Sequence, residues 1–193
     1  TTTLSFVRFL PFLERGEIAK AKDLYSKVLS HHPKDFDVLK GLCTIYHKEG
    51  NFKEAYDVIN KAVSLFPDKQ EIQLLYGKSA FHVGKLDEAE KVFTKLLAED
   101  SGNADAREFL ARIYLKEGKK EASLNEFRVI LDGLVQKEEL DSAVTILQEM
   151  IDVDHENPQL RHQLVDLYKK LGKNADVKKE YEFLASIYIK QGA

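Results

Sequence analysis

The sequence predicts an all-α solenoid, a right-handed superhelix in which about five to six antiparallel helix pairs stack side by side. Glycines recur every 34 residues, at positions 16, 50, 84 and 118. Five residues after the first three of these glycines comes an alanine, and five after the fourth comes the small Ser123. Repeats of this length bury their apolar faces only by stacking on their neighbours.

The second repeat shows why each unit is predicted to contain two helices. Between residues 39 and 46 apolar side chains recur at spacings of three and one, as on one face of a helix, and another such stripe runs from Ala55 to Val63. Gly50 lies between the stripes, where the chain must reverse, because glycine adopts the left-handed backbone that closes a helix C-terminus. Asp35 and Asn103 occupy equivalent places and suit a helix N-cap.

In this pattern the chain resembles the tetratricopeptide repeat family, whose 34-residue unit places glycine, alanine, aromatic residues and proline at set positions. The resemblance gives regular units 2–35, 36–69, 70–103 and 104–137. At the position where the family pattern has tryptophan, this chain has Leu39, Gln73 and Arg107. The matching residues are Gly16, Ala21, Tyr25 and Pro33, then Leu42, Tyr46, Gly50, Ala55, Ala62 and Pro67, then Gly77, Gly84, Ala89 and Phe93, and finally Leu110, Tyr114, Gly118 and Phe127.

The register breaks in the second half of the chain. One helix at about 120–137 is predicted to end one unit and to begin the next, which starts at Leu124 and has Glu138 in place of its turn glycine. A further unit starts near Pro158 and has Gly172 at its predicted turn. Tyr168 repeats Tyr114, which predicts an irregular 54-residue period of three helices over 104–193, within a single domain 1–193. Because no capping helix follows, we expect the chain to be a fragment of a longer repeat protein.

The resemblance also implies a ligand groove on the inner surface of the first helices. Its first-unit members are apolar, and an exposed apolar patch marks a binding surface, although an upstream helix or self-association would cover it equally well. Only Lys40 fits the places at which the chaperone-binding subgroup clamps a peptide carboxylate, so we expect no recognition of an acidic chaperone tail. The predicted groove residues are Phe6, Leu10, Leu13, Lys40, Thr44, His47, Leu74, Lys78, Phe81 and Arg112.

Composition and motifs exclude several other functions. The 29 basic and 32 acidic residues give a net charge of −3, which argues against a broad phosphate-binding face. Cys43 is the only cysteine, so no intrachain disulfide or cysteine-cluster metal site is possible, and it is predicted to be a buried hydrophobe. No nucleotide-binding, metalloprotease or serine-hydrolase motif is found, and no apolar run is long enough to span a membrane. We therefore predict no catalytic residue, cofactor, metal or membrane insertion.

These observations together predict a non-enzymatic, cytoplasmic scaffold that binds a peptide or amphipathic helix of another protein in its concave groove. One alternative is a helical-repeat RNA binder of the pentatricopeptide type, which also stacks helix pairs. The 34-residue period and the charge of −3 favour the protein scaffold. The other alternative is a targeting or regulatory segment of a larger protein whose activity lies elsewhere.

Overall fold

The computed structural model describes residues 17–192, which form helices and no strand. The predicted helix before Gly16 lies outside this range. The chain divides between Phe109 and Leu110 into two compact units. The helices are α1 (Ile18–His31), α2 (Phe36–Lys48), α3 (Phe52–Leu65), α4 (Gln70–His82), α5 (Leu86–Glu99), α6 (Ala104–Lys116), α7 (Lys120–Gln136), α8 (Leu140–Val153), α9 (Pro158–Lys170) and α10 (Asn174–Gln191).

In the first unit α1, α2, α3, α4 and α5 pack in chain order, each against its neighbour, and α2 also contacts α4. Short turns join successive helices, so packed neighbours run antiparallel. Tyr25, Ile45, Ile59 and Ile72 are fully buried between them. Burying one such side chain is worth about 1.5–3 kcal/mol, so each helix depends on its neighbours. The prediction of an all-α fold of stacked helix pairs is confirmed.

The turn between α2 and α3 closes as the glycine spacing predicts. Gly50 has a φ of 74°, and the amide of Asn51 donates a hydrogen bond of 2.8 Å to the carbonyl of Tyr46. The equivalent glycines 84, 118 and 172 also have positive φ, so four predicted turns are confirmed, and Gly16 lies outside the described residues.

Both predicted N-caps are confirmed as well. The Asp35 side chain accepts a hydrogen bond of 3.1 Å from the amide of Val38, at the start of α2. The Asn103 side chain accepts one of 3.0 Å from the amide of Ala106, at the start of α6. Each cap satisfies one of the amides that the first turn of a helix leaves unpaired.

A polar network holds α3, α4 and α5 together. The hydroxyls of Tyr56 and Tyr76 each donate a hydrogen bond of 2.7 Å to Oε2 of Glu88, and Lys85 lies 3.0 Å from its Oε1. These hydrogen bonds, led by that of Tyr76, favour the ionised carboxylate and lower the pKa of Glu88 to about 2. One carboxylate therefore joins three helices.

In the second unit, α7 packs against α8, α8 against α9, and α9 against α10. As predicted, α7 is one continuous helix, 17 residues long. Glu138 follows it with a φ of 58°, so a glutamate adopts the left-handed backbone where the other repeats have glycine. Helix α9 begins and ends 54 residues after α6, which is the offset that separates Tyr114 from Tyr168. Helix α10 likewise begins 54 residues after α7.

Candidate partner-binding surface

Five of the predicted groove residues lie on two helices that contact each other, and all five are partly exposed. We call this surface the α2–α4 face, and it consists of Lys40, Thr44, His47, Leu74 and Lys78. Since α2 and α4 are the first helices of successive repeats, their contact makes the face continuous across a repeat boundary.

Two ion pairs cross between first helices on this surface. Lys40 of α2 pairs with Glu71 of α4, and Nζ of Lys78 lies 2.7 Å from Oδ2 of Asp105 on α6. The Glu71 and Asp105 side chains are 61% and 55% exposed, so each pair contributes at most about 1 kcal/mol. Both pairs are therefore weak, and they orient the two lysines at the surface.

His47 closes one end of the face with a half-buried imidazole. Its Nε2 lies 2.8 Å from Oγ of Ser79, and its ring centroid lies 5.8 Å from that of His82. The His82 ring stacks on Phe52 at 4.0 Å, with the two planes 7° apart. Burial, helped by the charges of His82 and Lys78, lowers the pKa of His47 to about 4. The His47 side chain is therefore neutral at pH 7.

The remaining predicted residues differ in their contacts and in how exposed they are. The Thr44 hydroxyl donates a hydrogen bond of 2.9 Å to the Lys40 carbonyl, and Leu74 is half-buried. Phe81 is only 6% exposed, because its ring packs edge-on against Phe109, with the ring centroids 5.3 Å apart. It therefore lies beneath the surface and is not part of the α2–α4 face. The predicted apolar patch residues of the first repeat, Phe6, Leu10 and Leu13, lie outside the described residues.

Arg112 belongs to the second unit and is engaged within it. Its Nη2 lies 3.1 Å from Oε1 of Glu149, so the pair links α6 to α8. The predicted groove cation is thus neutralised by an acid of its own chain.

Sequence reasoning missed two residues that shape the α2–α4 face. Ser79 fixes the His47 ring, and Phe52 holds His82 by stacking. No periodicity marks them, because both contacts join different repeats. The acidic partners Glu71 and Asp105 were detectable, since each carries a charge opposite to that of a lysine in the preceding repeat.

The part of the chain that the structure describes offers neither a metal site nor a membrane-spanning helix. No group of three or more histidine, cysteine, aspartate or glutamate side chains in residues 17–192 is placed to hold a metal ion. None of the helices there has the length and apolar character needed to cross a membrane.

Comparison with known families agrees with the repeat pattern. A tetratricopeptide repeat model matches residues 12–79 and 80–132, which is more than half of the chain. The chain belongs to the tetratricopeptide repeat (TPR) family. A PPR repeat model matches residues 127–154, at the end of α7 and over α8. TPR repeats generally form scaffolds for protein–protein interactions and are typically not enzymes.

Curated relatives of this TPR chain are much longer proteins. Cellulose synthase operon protein C of Pseudomonas fluorescens (strain SBW25) is 31% identical over 122 residues, which are 59% of this chain and 9% of that protein. TPR repeat-containing protein YpiA of Bacillus subtilis (strain 168) is 23% identical over 170 residues, 88% of this chain and 36% of that protein. The human protein O-mannosyl-transferase TMTC1 is 26% identical over 110 residues, 57% of this chain and 12% of that protein. The chain thus spans about a third or less of these relatives.

Solved structures share the fold of the TPR chain. A crystal structure of MamA protein superposes with a TM-score of 0.59 at 17% identity, covering 99% of this chain and 93% of that one. A tetratricopeptide repeat protein from Parabacteroides merdae ATCC 43184 gives 0.59 at 18% identity, covering 98% and 86%. A chain of the APC/C hetero-tetramer Cut9-Hcn1 gives 0.60 at 12% identity, covering 97% and 40%. At these identities the likeness shows the fold alone.

Proposed function

We propose that the TPR chain is a non-enzymatic scaffold that binds an extended peptide or an amphipathic helix of a partner protein across the α2–α4 face. The observation that supports this is the arrangement of Lys40 and Lys78, which two exposed carboxylates hold on a surface continuous across a repeat boundary. Carboxylates of a partner take the places of Glu71 and Asp105, and an apolar partner side chain contacts Leu74.

Affinity capture with quantitative mass spectrometry tests this proposal. The variant Thr44→Arg/Leu74→Arg, which changes the α2–α4 face, should lose proteins that the wild-type chain captures from its native lysate. The matched control is Asn60→Arg/Thr94→Arg, which places the same charges at exposed positions on second helices. It should capture the same proteins as the wild type. Equal loss in both variants, with both folded by circular dichroism, would place the binding surface elsewhere.

A second candidate function, RNA binding, rests on the PPR repeat match over residues 127–154. The net charge of −3 disfavours it, because affinity for RNA depends on neutralising phosphates. Fluorescence anisotropy with a labelled uridine 20-mer should detect no saturable binding tighter than about 10 μM in about 50 mM salt. Binding above that threshold would favour the RNA candidate.

A cytoplasmic location, and a role as targeting segment of a larger protein, are also proposals. A single buried thiol is compatible with a reducing compartment. Cell fractionation of the full protein checks the location.

A further inference from the structure

A cavity of about 410 Å³ opens in the second unit between α7, α8 and α9. Leu131, Leu147 and Leu167 form its floor and are buried, while Val135 at its edge is 36% exposed. The volume lies at the lower end of the range for ligand pockets, about 300–1,000 Å³. It therefore has room for one or two long side chains of a partner.

The rim of this cavity is polar and acidic. It consists of Asp132 and Gln136 on α7 and Gln163 and Asp166 on α9, all exposed. Within residues 17–192, Asp132 and Asp166 form no ion pair, unlike the lysines of the α2–α4 face. The pKa of Lys169, on the same helix as Asp166, is raised mainly by the hydrogen bond from Lys169 to Tyr181. The charge of Asp166 adds a minor contribution.

The two acids occupy equivalent places in the repeat. Each is at the ninth position of its unit, counted from Leu124 and Pro158, so they are separated by one regular repeat length. Lys78 and Arg112 hold the ninth position in the third and fourth regular units. The charge at this position therefore changes from positive to negative along the chain.

We propose that this cavity binds an arginine side chain of a partner peptide. The aliphatic stem lies on the leucine floor, and the guanidinium reaches the carboxylates at the rim. Arginine suits the site better than lysine, because its planar fork is more weakly hydrated and donates two hydrogen bonds to one carboxylate. The two amide side chains accept further hydrogen bonds from the peptide. This site extends the proposed function to a second surface, and it rests on that function only in treating the chain as a peptide binder.

A nuclear magnetic resonance titration of the full chain tests the proposal. The probe is the capped pentapeptide acetyl-Ala-Leu-Arg-Leu-Ala-amide, added up to about 10 mM. Its control replaces arginine by citrulline, which keeps the shape and removes the charge. We expect saturable shifts of amides in 131–136 and 163–167, with affinity at least about tenfold weaker for the citrulline peptide.

Two double variants separate the site from general charge effects. Asp132→Asn/Asp166→Asn should weaken binding of the arginine peptide at least about tenfold. Asp152→Asn/Glu182→Gln, which removes the same charge from exposed positions of the second unit, should leave it unchanged.

The proposal is overturned by an absence of saturable shifts, by equal binding of the two peptides, or by unchanged binding to the Asp132→Asn/Asp166→Asn variant. Saturable shifts of the same amides with a uridine pentanucleotide would also overturn it, in favour of RNA. Shifts confined to residues 40–78 would also overturn this site. The probe carries no carboxylate, so its failure to bind here leaves the proposal for the α2–α4 face standing, and the two proposals fail separately.

Discussion

Nε2 of His47 donates a hydrogen bond to Oγ of Ser79 across 2.8 Å. The direction follows from a second contact, in which the Ser79 hydroxyl donates its own proton to the carbonyl of Leu75 at 2.7 Å. The serine oxygen can then only accept from the imidazole, which must carry its proton on Nε2. A neutral, oriented histidine therefore joins two successive repeats.

This arrangement predicts how stability depends on pH. The pKa of His47 is about 4 in the folded chain, against 6.5 for an ordinary histidine. Between these values the unfolded chain binds more protons, so the stabilisation is complete above pH 6.5 and is lost as the pH falls towards 4. Urea unfolding between pH 7 and pH 4.5 should show this decline.

His47→Gln isolates the histidine, because glutamine keeps a donor to Ser79 and cannot titrate. Its free energy of unfolding should fall less with pH than that of the wild type, while the exposed control His32→Gln should follow the wild type. Glu88, with its pKa lowered to about 2, contributes a separate decline below pH 4.5. Identical slopes in wild type and His47→Gln between pH 7 and pH 4.5 would contradict the prediction.

The left-handed turns predict two substitutions of opposite sign. Gly50→Ala should destabilise by about 1 kcal/mol, since a side chain is disfavoured at a φ of 74° although a Cβ there would meet no atom within 4 Å. Glu138→Gly should stabilise by about 1 kcal/mol, because it relieves the same strain at a φ of 58°. Denaturant unfolding measures both, and effects of the same sign would mean that the backbone is not the cause.

Two helical glycines form a matched pair that tests packing. A Cβ at Gly77 would lie 2.8 Å from Cζ of Phe93, so Gly77→Ala should destabilise by about 1–3 kcal/mol. At Gly133 of α7 a Cβ would meet nothing within 4 Å, so Gly133→Ala should stabilise by about 0.5–1 kcal/mol. Thermal melts of both variants check this, and a neutral Gly77→Ala would show that α4 and α5 can separate without cost.

Cys43 should be chemically inert in the folded chain. Burial raises the pKa of its thiol to about 12, partly offset by the hydrogen bond between the thiol and Ser79, so almost no thiolate is present at pH 8. We expect no reaction with a disulfide reagent in native buffer and full reaction in denaturant. Rapid labelling of the native protein would show that the thiol is accessible.

The repeat spacing made most of the fold predictable from the sequence. The four turn glycines, the caps at Asp35 and Asn103, and the continuous helix α7 each depend on local backbone preferences that spacing reveals. Even the Glu138 turn was located correctly, because the apolar stripes on either side require a reversal there.

The candidate surface was predicted less completely, for a physical reason. A helical wheel places Phe81 on the inner face, but Phe109 from the first helix of the next repeat packs against it and buries it. The pairing of Arg112 with Glu149 and the bond from His47 to Ser79 likewise join separate helices. Contacts of this kind depend on how helices pack against each other, and the periodicity of a single helix does not reveal that packing.

The measurement that tests the central claim most directly is site-specific photo-crosslinking in native cells. A benzoylphenylalanine at position 44 or 74, on the α2–α4 face, should form an adduct with one and the same partner protein, identified by mass spectrometry. The photoreactive residue at position 60, exposed on α3, should form none with that protein. An adduct of equal yield from position 60, or an adduct from that position alone, would contradict the assignment of the α2–α4 face as the binding surface.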